Sequence, residues 1–331
     1  MITLTIDGQV VKASDGMTVL EAAREAGVYI PTLCHHASLS PYGACRLCIV
    51  EIAKMRGFPT ACTTPASEGM VVQTNTPQLQ ELRRDILELV ISEHPYACLT
   101  CPANRRCELQ EVASYVGMKE ITLPYTYKEL PVEKGDPFFE RDYNLCILCG
   151  RCVRVCQEVR GNGAIAFTQR GSEALVGTAF SRPLQESGCR FCGACVDACP
   201  TGALVERNRK WAGLAERQVV TICPYCGVGC QLELHVKGER IIEVTPGNGV
   251  NQGQSCVKGR FGIAEFVHHP ERLTTPLIRQ TGNLKETTWD EALGIVASKL
   301  AGYKEDEVAV ISSAKCTNED NYIAQKFTRA V

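Results

Sequence analysis

The chain has 331 residues, of which 45% are hydrophobic and 22% charged, and its formal net charge is −2. This length predicts about two to four domains, and the near-neutral charge argues against a nucleic-acid-binding surface. The N-terminal stretch MITLTIDGQVVKASDG lacks the basic and apolar regions of a secretory signal, and no apolar run reaches the roughly 18 residues that span a bilayer. We therefore expect a cytoplasmic protein that reaches a membrane only if a partner carries it there.

Twenty cysteines set this sequence apart. Disulfide scaffolds are usually short and secreted, and this chain is expected to be neither. Cysteines in tight CxxC spacing within a cytoplasmic chain more often bind metal, either in structural zinc sites or in iron–sulfur clusters. The spacing within each group has to separate these two alternatives.

Residues 1–75 are predicted to form a β-grasp ferredoxin domain. The segments ITLTI and QVVKA alternate in polarity around Asp7 and Gly8, which predicts a β-hairpin. The segment MTVLEAAREAG predicts a helix that ends at Gly27. A cysteine-bearing loop follows, and we expect a [2Fe–2S] site, with a zinc ribbon as the alternative. The candidate ligands are Cys34, Cys45, Cys48 and Cys62.

Residues 76–119 are predicted to form a helical domain with a second metal site. Thr76 and Pro77 mark the start of a helix over 76–93, which must end before Pro95. Three cysteines without a fourth follow His94, so a site with one imidazole ligand is expected. The spacing H-x3-C-x2-C-x5-C resembles the His-ligated [4Fe–4S] site of the large iron–sulfur subunit of complex I and of iron-only hydrogenases. That resemblance implies a [4Fe–4S] cluster, whose potential the neutral imidazole should raise. The alternative is that His94 only complements the helix dipole. The candidate ligands are His94, Cys98, Cys101 and Cys107. The polar, proline-containing stretch 120–142 is predicted to be a linker.

Residues 143–210 contain an internal repeat. The motif C-x2-C-x2-C-x3-C occurs twice, in NLCILCGRCVRVC and in SGCRFCGACVDAC. This is the two-cluster bacterial ferredoxin pattern, in which the fourth cysteine of each motif ligates the other cluster. The first [4Fe–4S] site is therefore predicted at Cys146, Cys149, Cys152 and Cys199, and the second at Cys189, Cys192, Cys195 and Cys156.

Residues 218–331 are predicted to begin an α/β domain, with short strands first and helices at 289–301 and 318–330. A further [4Fe–4S] site is expected at Cys223, Cys226, Cys230 and Cys256. The remaining Cys316 follows a predicted strand at 307–313 and is expected to be a small buried residue. His35 and His36 are expected to tune the [2Fe–2S] site by hydrogen bonding, and His268 and His269 to be surface or turn residues.

Three parts of the sequence resemble known iron–sulfur proteins. The first two sites resemble those of the large iron–sulfur subunit of respiratory complex I and of iron-only hydrogenases. The segments ICPYCGVGC and CVKGRFG, with the tail HHPERLTTPLIR, TTWDEALGIVASKL and SSAKCTNEDNYIAQKF, resemble the α subunits of molybdenum- or tungsten-dependent formate dehydrogenases, of the acetogen type linked to NAD(P). The TSCCP-like motifs of iron-only hydrogenases are absent, and the ferredoxin repeat is expected to be missing from the complex I subunit.

The formate dehydrogenase resemblance implies an α+β multidomain protein that carries electrons through one [2Fe–2S] and four [4Fe–4S] clusters. It implies a molybdenum or tungsten bis-molybdopterin guanine dinucleotide in the full-length enzyme, with Lys258 between the last cluster and the pterin. It also implies a partner subunit that binds flavin and NAD(P). The catalytic cysteine or selenocysteine of that family lies further along than residue 331, so no catalytic residue is expected here. A non-catalytic relay subunit of a larger oxidoreductase is the alternative.

Overall fold

The computed structural model describes residues 1–304 and 306–331. The chain divides into two compact units, Met1–Gly213 and Leu214–Val331. Within the described residues, none of the helices combines the length and the apolar character needed to cross a membrane.

The first unit opens with a mixed four-stranded sheet and one helix. Its elements are β1 (Ile2–Ile6), β2 (Gln9–Ala13), α1 (Val19–Glu25), β3 (Glu51–Ile52) and β4 (Val71–Gln73). The strand order is β2-β1-β4-β3, with β1 and β4 parallel and the other pairs antiparallel.

This is the predicted β-grasp arrangement. Asp7 and Gly8, with φ of 51° and 82°, make the tight turn between β1 and β2. Thr18 and Glu21 form a capping box at the start of α1. The apolar faces of the sheet and of α1 form one core that also takes in Cys48 and Cys62, so the hydrophobic core holds part of the cysteine loop.

Two helices follow, α2 (Pro77–Ile91) and α3 (Glu108–Tyr115), separated by a 3₁₀ turn at Cys98–Thr100. The Thr76 side chain caps α2 by accepting a hydrogen bond from the backbone N–H of Leu79 at 3.2 Å. The buried faces of both helices share a core with Leu33 and Leu47 of the cysteine loop. The [2Fe–2S] loop is thus held between the sheet and the helices.

The ferredoxin-like part contains short elements around the repeat. They are β5 (Phe139–Arg141), α4 (Arg151–Arg154), a π-helical turn (Val155–Val159), β6 (Ala166–Thr168), β7 (Leu175–Gly177), α5 (Ala194–Asp197) and β8 (Leu204–Glu206), with 3₁₀ turns at Tyr143–Leu145, Gly171–Glu173, Ala179–Ser181 and Leu184–Ser187. Strand β5 pairs antiparallel with β8. The end of the predicted linker is therefore part of a sheet, and Phe139 is buried there. A strand of only three residues is too short to be predicted from the sequence.

The second unit begins with an antiparallel sheet in the order β11-β10-β9, from β9 (Arg217–Ile222), β10 (Gln231–Lys237) and β11 (Arg240–Pro246). The sheet is followed by a π-helical turn (Lys258–Gly262), α6 (Ile263–His268), the hairpin β12 (Leu277–Gln280) and β13 (Asn283–Glu286), α7 (Trp289–Leu300) and α8 (Asn318–Ala330).

The two helices predicted at 289–301 and 318–330 are confirmed as α7 and α8. The predicted strand at 307–313 is wrong: this stretch lacks regular structure and Ile311 is 98% exposed, since it has no neighbouring strand to pair with in the described chain.

Candidate iron–sulfur sites

The four cysteines of the first loop lie together, and Cys48 and Cys62 are part of the β-grasp core. The Cys34 thiol contacts that of Cys45, and the Cys48 thiol contacts that of Cys62. Backbone amides also donate to sulfur: Leu33 N lies 3.4 Å from Cys45 Sγ, and Cys45 N lies 3.4 Å from Cys34 Sγ. These amides stabilise thiolates, the form that binds iron.

The two thiol pairs are polarised. The hydrogen bond from Cys34 lowers the pKa of Cys45, and the one from Cys48 lowers the pKa of Cys62. The same hydrogen bonds raise the pKa of Cys34 and of Cys48, and burial raises them further. Two adjacent thiol pairs of this kind fit a site where a metal cluster replaces the thiol protons.

Arg83 supports this loop, and the sequence analysis did not identify it. Its side chain is fully buried, Nε donates to the Leu47 carbonyl at 3.0 Å, and Nη2 donates to the Ile49 carbonyl at 2.8 Å. The two carbonyls flank Cys48. The signal was present, since Arg83 lies four residues from each of the buried Leu79 and Leu87 on α2.

His94 and its three cysteines line one cavity of about 140 Å³. His94 is buried, and its Nδ1 has no hydrogen-bond partner among the described residues. Burial lowers the pKa of His94 to about 4, so the imidazole is neutral and able to act as a ligand. A buried polar atom without a partner is costly, and metal ligation would satisfy it.

The ferredoxin repeat brings its eight cysteines close together. The Cys152 thiol interacts electrostatically with Cys146, Cys149 and Cys199, and also with Cys195, and that of Cys195 interacts with Cys156, Cys189 and Cys192. The division into two crossed ligand sets stays a prediction. Cys156, Cys189, Cys192 and Cys195 line a cavity of about 90 Å³. Burial raises the pKa of Cys146 to about 11 and of Cys149 to about 12.

The two halves of the repeat also share a backbone conformation. Leu148 and Phe191, at equivalent positions, have left-handed φ angles of 51° and 49°. Their amides donate to Cys146 Sγ and Cys189 Sγ, each at 3.4 Å. The repeat therefore encodes one sulfur-binding loop twice, and both loops present amide groups to a thiolate.

Three of the last four cysteines lie in the connection between β9 and β10, and Cys256 lies just before the π-helical turn. The thiols of Cys223 and Cys230 each interact with those of Cys226 and Cys256, and Cys223 N donates to the Cys230 carbonyl at 2.8 Å. Burial raises the pKa of Cys223 and of Cys230. Cys226 and Cys256 are exposed.

Other residues singled out from the sequence have less defined roles. Lys258 is exposed at the first position of the π-helical turn, and its contact with a pterin stays a prediction. Cys316 is exposed, so the expectation that it is buried is wrong, because the strand expected to bury it does not form. His36 Nδ1 accepts from Ser38 N at 3.2 Å, and tuning of the cluster by His35 and His36 stays a prediction.

A single metal ion needs its ligands closer together than a cluster does. Across residues 1–304 and 306–331, three or more His, Cys, Asp or Glu side chains nowhere converge tightly enough to hold one metal ion.

Five family models match the chain along its length. They describe a 2Fe-2S iron–sulfur cluster binding domain (residues 1–77), an NADH-ubiquinone oxidoreductase-G iron–sulfur binding region (83–122), an NADH-quinone oxidoreductase subunit 3 ferredoxin-like domain (136–205), a molybdopterin oxidoreductase Fe4S4 domain (216–269) and molybdopterin oxidoreductase (272–331). The third match covers the ferredoxin repeat, which was expected to be missing from the complex I subunit. The repeat therefore does not separate the two resemblances.

Curated relatives match the whole chain. The NADPH-Fe(3+) oxidoreductase subunit alpha of Geobacter sulfurreducens and a subunit of an NADH-quinone oxidoreductase of Rhizobium meliloti are each 37% identical to it, and 39% of each relative is covered. A Staphylococcus aureus protein provisionally named a formate dehydrogenase is 30% identical, with 38% of it covered. The chain thus spans about two fifths of the length of these relatives.

One solved structure is similar to part of the chain. One chain of the NAD⁺-reducing [NiFe]-hydrogenase in the H₂-reduced state is similar with a TM-score of 0.57 and 32% identity, covering 62% of this chain and 87% of the other.

Fold, cysteine sets and matches define a class: an iron–sulfur electron-transfer protein with a 2Fe-2S domain, 4Fe-4S ferredoxin-like domains and the start of a molybdopterin oxidoreductase domain. Segment by segment, the chain carries the iron–sulfur domains of NADH-quinone oxidoreductase G-like proteins and of molybdopterin oxidoreductases.

Proposed function

We propose that this chain carries electrons through one [2Fe–2S] and four [4Fe–4S] clusters within a formate dehydrogenase that interconverts formate and carbon dioxide in the cytoplasm. The observation that supports it most is that nineteen cysteines and His94 lie in groups of neighbouring side chains, to which the proposal assigns five clusters. The sequence-based domains, 1–75, 76–119, 143–210 and 218–331, with a linker at 120–142, would each hold their own sites.

When bound, the clusters would transfer single electrons. The protein would set the position and the reduction potential of each cluster. The backbone amides of Leu33, Cys45, Leu148 and Phe191 would stabilise negative charge on the ligand sulfurs. His94 would contribute no charge to its cluster. Burial of Cys34, Cys48 and Cys152 would keep water away from the ligand bonds.

In this proposal, electrons from formate enter at the Cys223 set, cross the ferredoxin pair and leave through the His94 and [2Fe–2S] sites toward a subunit that binds flavin and NAD(P). Lys258 would lie between the first of these clusters and a molybdenum- or tungsten-bound pterin. A positive charge there would stabilise electron density as it passes between them.

A non-catalytic relay in a larger oxidoreductase is the second candidate. It is favoured by the Geobacter sulfurreducens relative, which is more similar than the formate dehydrogenase-named one and whose name specifies NADPH and Fe(3+).

The test uses the native complex, purified without oxygen, with its visible absorption followed after addition of formate. Bleaching by formate, together with one molybdenum or tungsten per chain, is expected for a formate dehydrogenase. Bleaching by NADH or NADPH but not by formate would contradict the formate proposal and support the relay.

A further inference from the structure

One buried arginine lies where three of the proposed cluster sites meet. Arg151 is the first residue of α4, directly between Cys149 and Cys152 of the first ferredoxin-type site. Its side chain is 5% exposed. Its Nη1 and Nη2 donate to Glu108 Oε1 at 2.6 Å and Oε2 at 2.8 Å, and Glu108 directly follows Cys107 of the His94 site.

The same short helix also reaches the [2Fe–2S] loop. Arg154, one turn along α4, donates from Nη1 to the Cys34 carbonyl at 3.1 Å and stacks its guanidinium 4.6 Å from the centre of the Tyr42 ring. Arg151 is close enough to the Cys34 thiol to interact with it electrostatically, as it does with that of Cys149. Helix α4 thus joins the first ferredoxin-type site to both neighbouring sites.

The charge of Arg151 is only partly balanced. Its bidentate partner Glu108 is 42% exposed, so water screens that carboxylate, whereas the guanidinium is buried and its Nε has no hydrogen-bond partner among the described residues. A buried cation acts over a longer range than an exposed one, because the protein interior screens it weakly. The negative charge nearest to it, apart from Glu108, would be that of the ligand sulfurs.

We infer that Arg151 is a positioning and tuning residue shared by neighbouring clusters, and that its buried charge raises the reduction potentials of the [2Fe–2S] cluster and the first ferredoxin-type cluster. A reduced cluster carries one more negative charge than an oxidised one, so a nearby cation stabilises the reduced form. The inference rests on the proposed cluster sites. A clamp that only joins the three segments would require the same hydrogen bonds but no effect of charge.

Two substitutions separate the charge from the clamp, because they break the same ion pair and change the local charge in opposite directions. Arg151→Gln removes the buried cation, and Glu108→Gln removes its counter-charge. We expect Arg151→Gln to lower the midpoint potential of the [2Fe–2S] cluster and Glu108→Gln to leave it unchanged or raise it. Arg151→Lys keeps the charge but loses the bidentate geometry of the guanidinium. The midpoint potential of the [2Fe–2S] cluster should therefore stay closer to that of the unsubstituted protein than it does in Arg151→Gln.

The measurement is a redox titration of the full complex followed by electron paramagnetic resonance, in which the slowly relaxing [2Fe–2S] signal is separated from the four-iron signals by temperature. Arg84→Gln, an exposed arginine on α2, is the control and should shift nothing. The inference would be overturned if Arg151→Gln and Glu108→Gln lowered the midpoint potential equally, or if Arg151→Gln left it unchanged. Either result would still be compatible with the proposed clusters. Absence of cluster signals from the unsubstituted complex would overturn the proposed function as well.

Discussion

Gly202 approaches Cys101 so closely that a Cβ added to the glycine would lie 3.0 Å from the cysteine Sγ. The same Cβ would lie 3.3 Å from both Ala103 Cβ and Leu145 Cδ1. Gly202 follows the Cys199 motif of the ferredoxin repeat, yet it lines the cavity of the His94 site. The chain therefore brings these two proposed cluster sites together through a residue without a side chain.

Gly202→Ala is expected to disturb the His94 site. The added methyl would push the Cys101 sulfur away from its position, since so short a contact requires one of the atoms to move. We expect the signal of the His94-site cluster to broaden or disappear while the [2Fe–2S] signal is retained, as measured by electron paramagnetic resonance. Gly135→Ala is the matched control, because nothing lies within 4 Å of its added Cβ. Identical spectra for both variants would contradict the predicted contact.

Replacement of Arg83 is expected to loosen the [2Fe–2S] loop. Arg83→Met would leave the Leu47 and Ile49 carbonyls without their donor, at a cost of about 1–3 kcal/mol for each buried group. During mild denaturation, Arg83→Met should release the iron of its [2Fe–2S] cluster at a lower denaturant concentration than the unsubstituted protein. The release is measured as loss of the [2Fe–2S] absorption. Arg84→Met changes an exposed neighbour on the same helix and should behave as the unsubstituted protein does. Equal behaviour of the two variants would show that Arg83 does not hold this loop.

In the proposed assignment, His94 is a neutral ligand of its cluster, and a thiolate in its place would add a negative charge. His94→Cys is expected to retain the cluster and lower its midpoint potential, because a thiolate adds a negative charge where the neutral imidazole has none. His94→Ala should lose the cluster or leave it open to chelators. Redox titration of the His94→Cys protein checks the direction. An unchanged potential would mean that His94 is not a ligand.

The cysteine assignments predict opposite results for two exposed thiols. Cys256→Ser should reduce the iron content by about four atoms per chain, because it removes one ligand of the last site. Cys316→Ser should reduce it by none, since Cys316 falls outside every proposed set. Iron analysis of both variants, each purified without oxygen, tests this difference. Loss of iron from Cys316→Ser would require a different assignment.

Much of the fold could be predicted because the local signals were strong. The turn at Asp7 and Gly8, the capping of α2 by Thr76 and the two C-x2-C-x2-C-x3-C motifs each specify a backbone conformation within a few residues. Strand β5 and the missing strand at 307–313 could not be predicted, because pairing with a distant segment decides both.

The candidate ligands were predicted from spacing, whereas the residues that contact them were not identified, although the helix position of Arg83 offered a signal. Arg83 lies at a core position of an amphipathic helix, where a charged residue is easily read as an interruption of the apolar stripe. Arg151 occupies a variable position inside its motif, and its partner Glu108 is 43 residues away. Gly202 matters only because Cys101 approaches it from another part of the chain. Such contacts depend on how the segments pack, which periodicity does not reveal.

The most direct test of the central claim is metal analysis of the native complex purified without oxygen, with iron, zinc and acid-labile sulfide measured per copy of this chain. One two-iron and four four-iron clusters require about eighteen iron atoms for this chain, and zinc should be negligible. That iron content, accompanied by broad visible absorption that reductant bleaches, is the predicted result. A few zinc atoms per chain with little iron, in a colourless protein, would contradict the account.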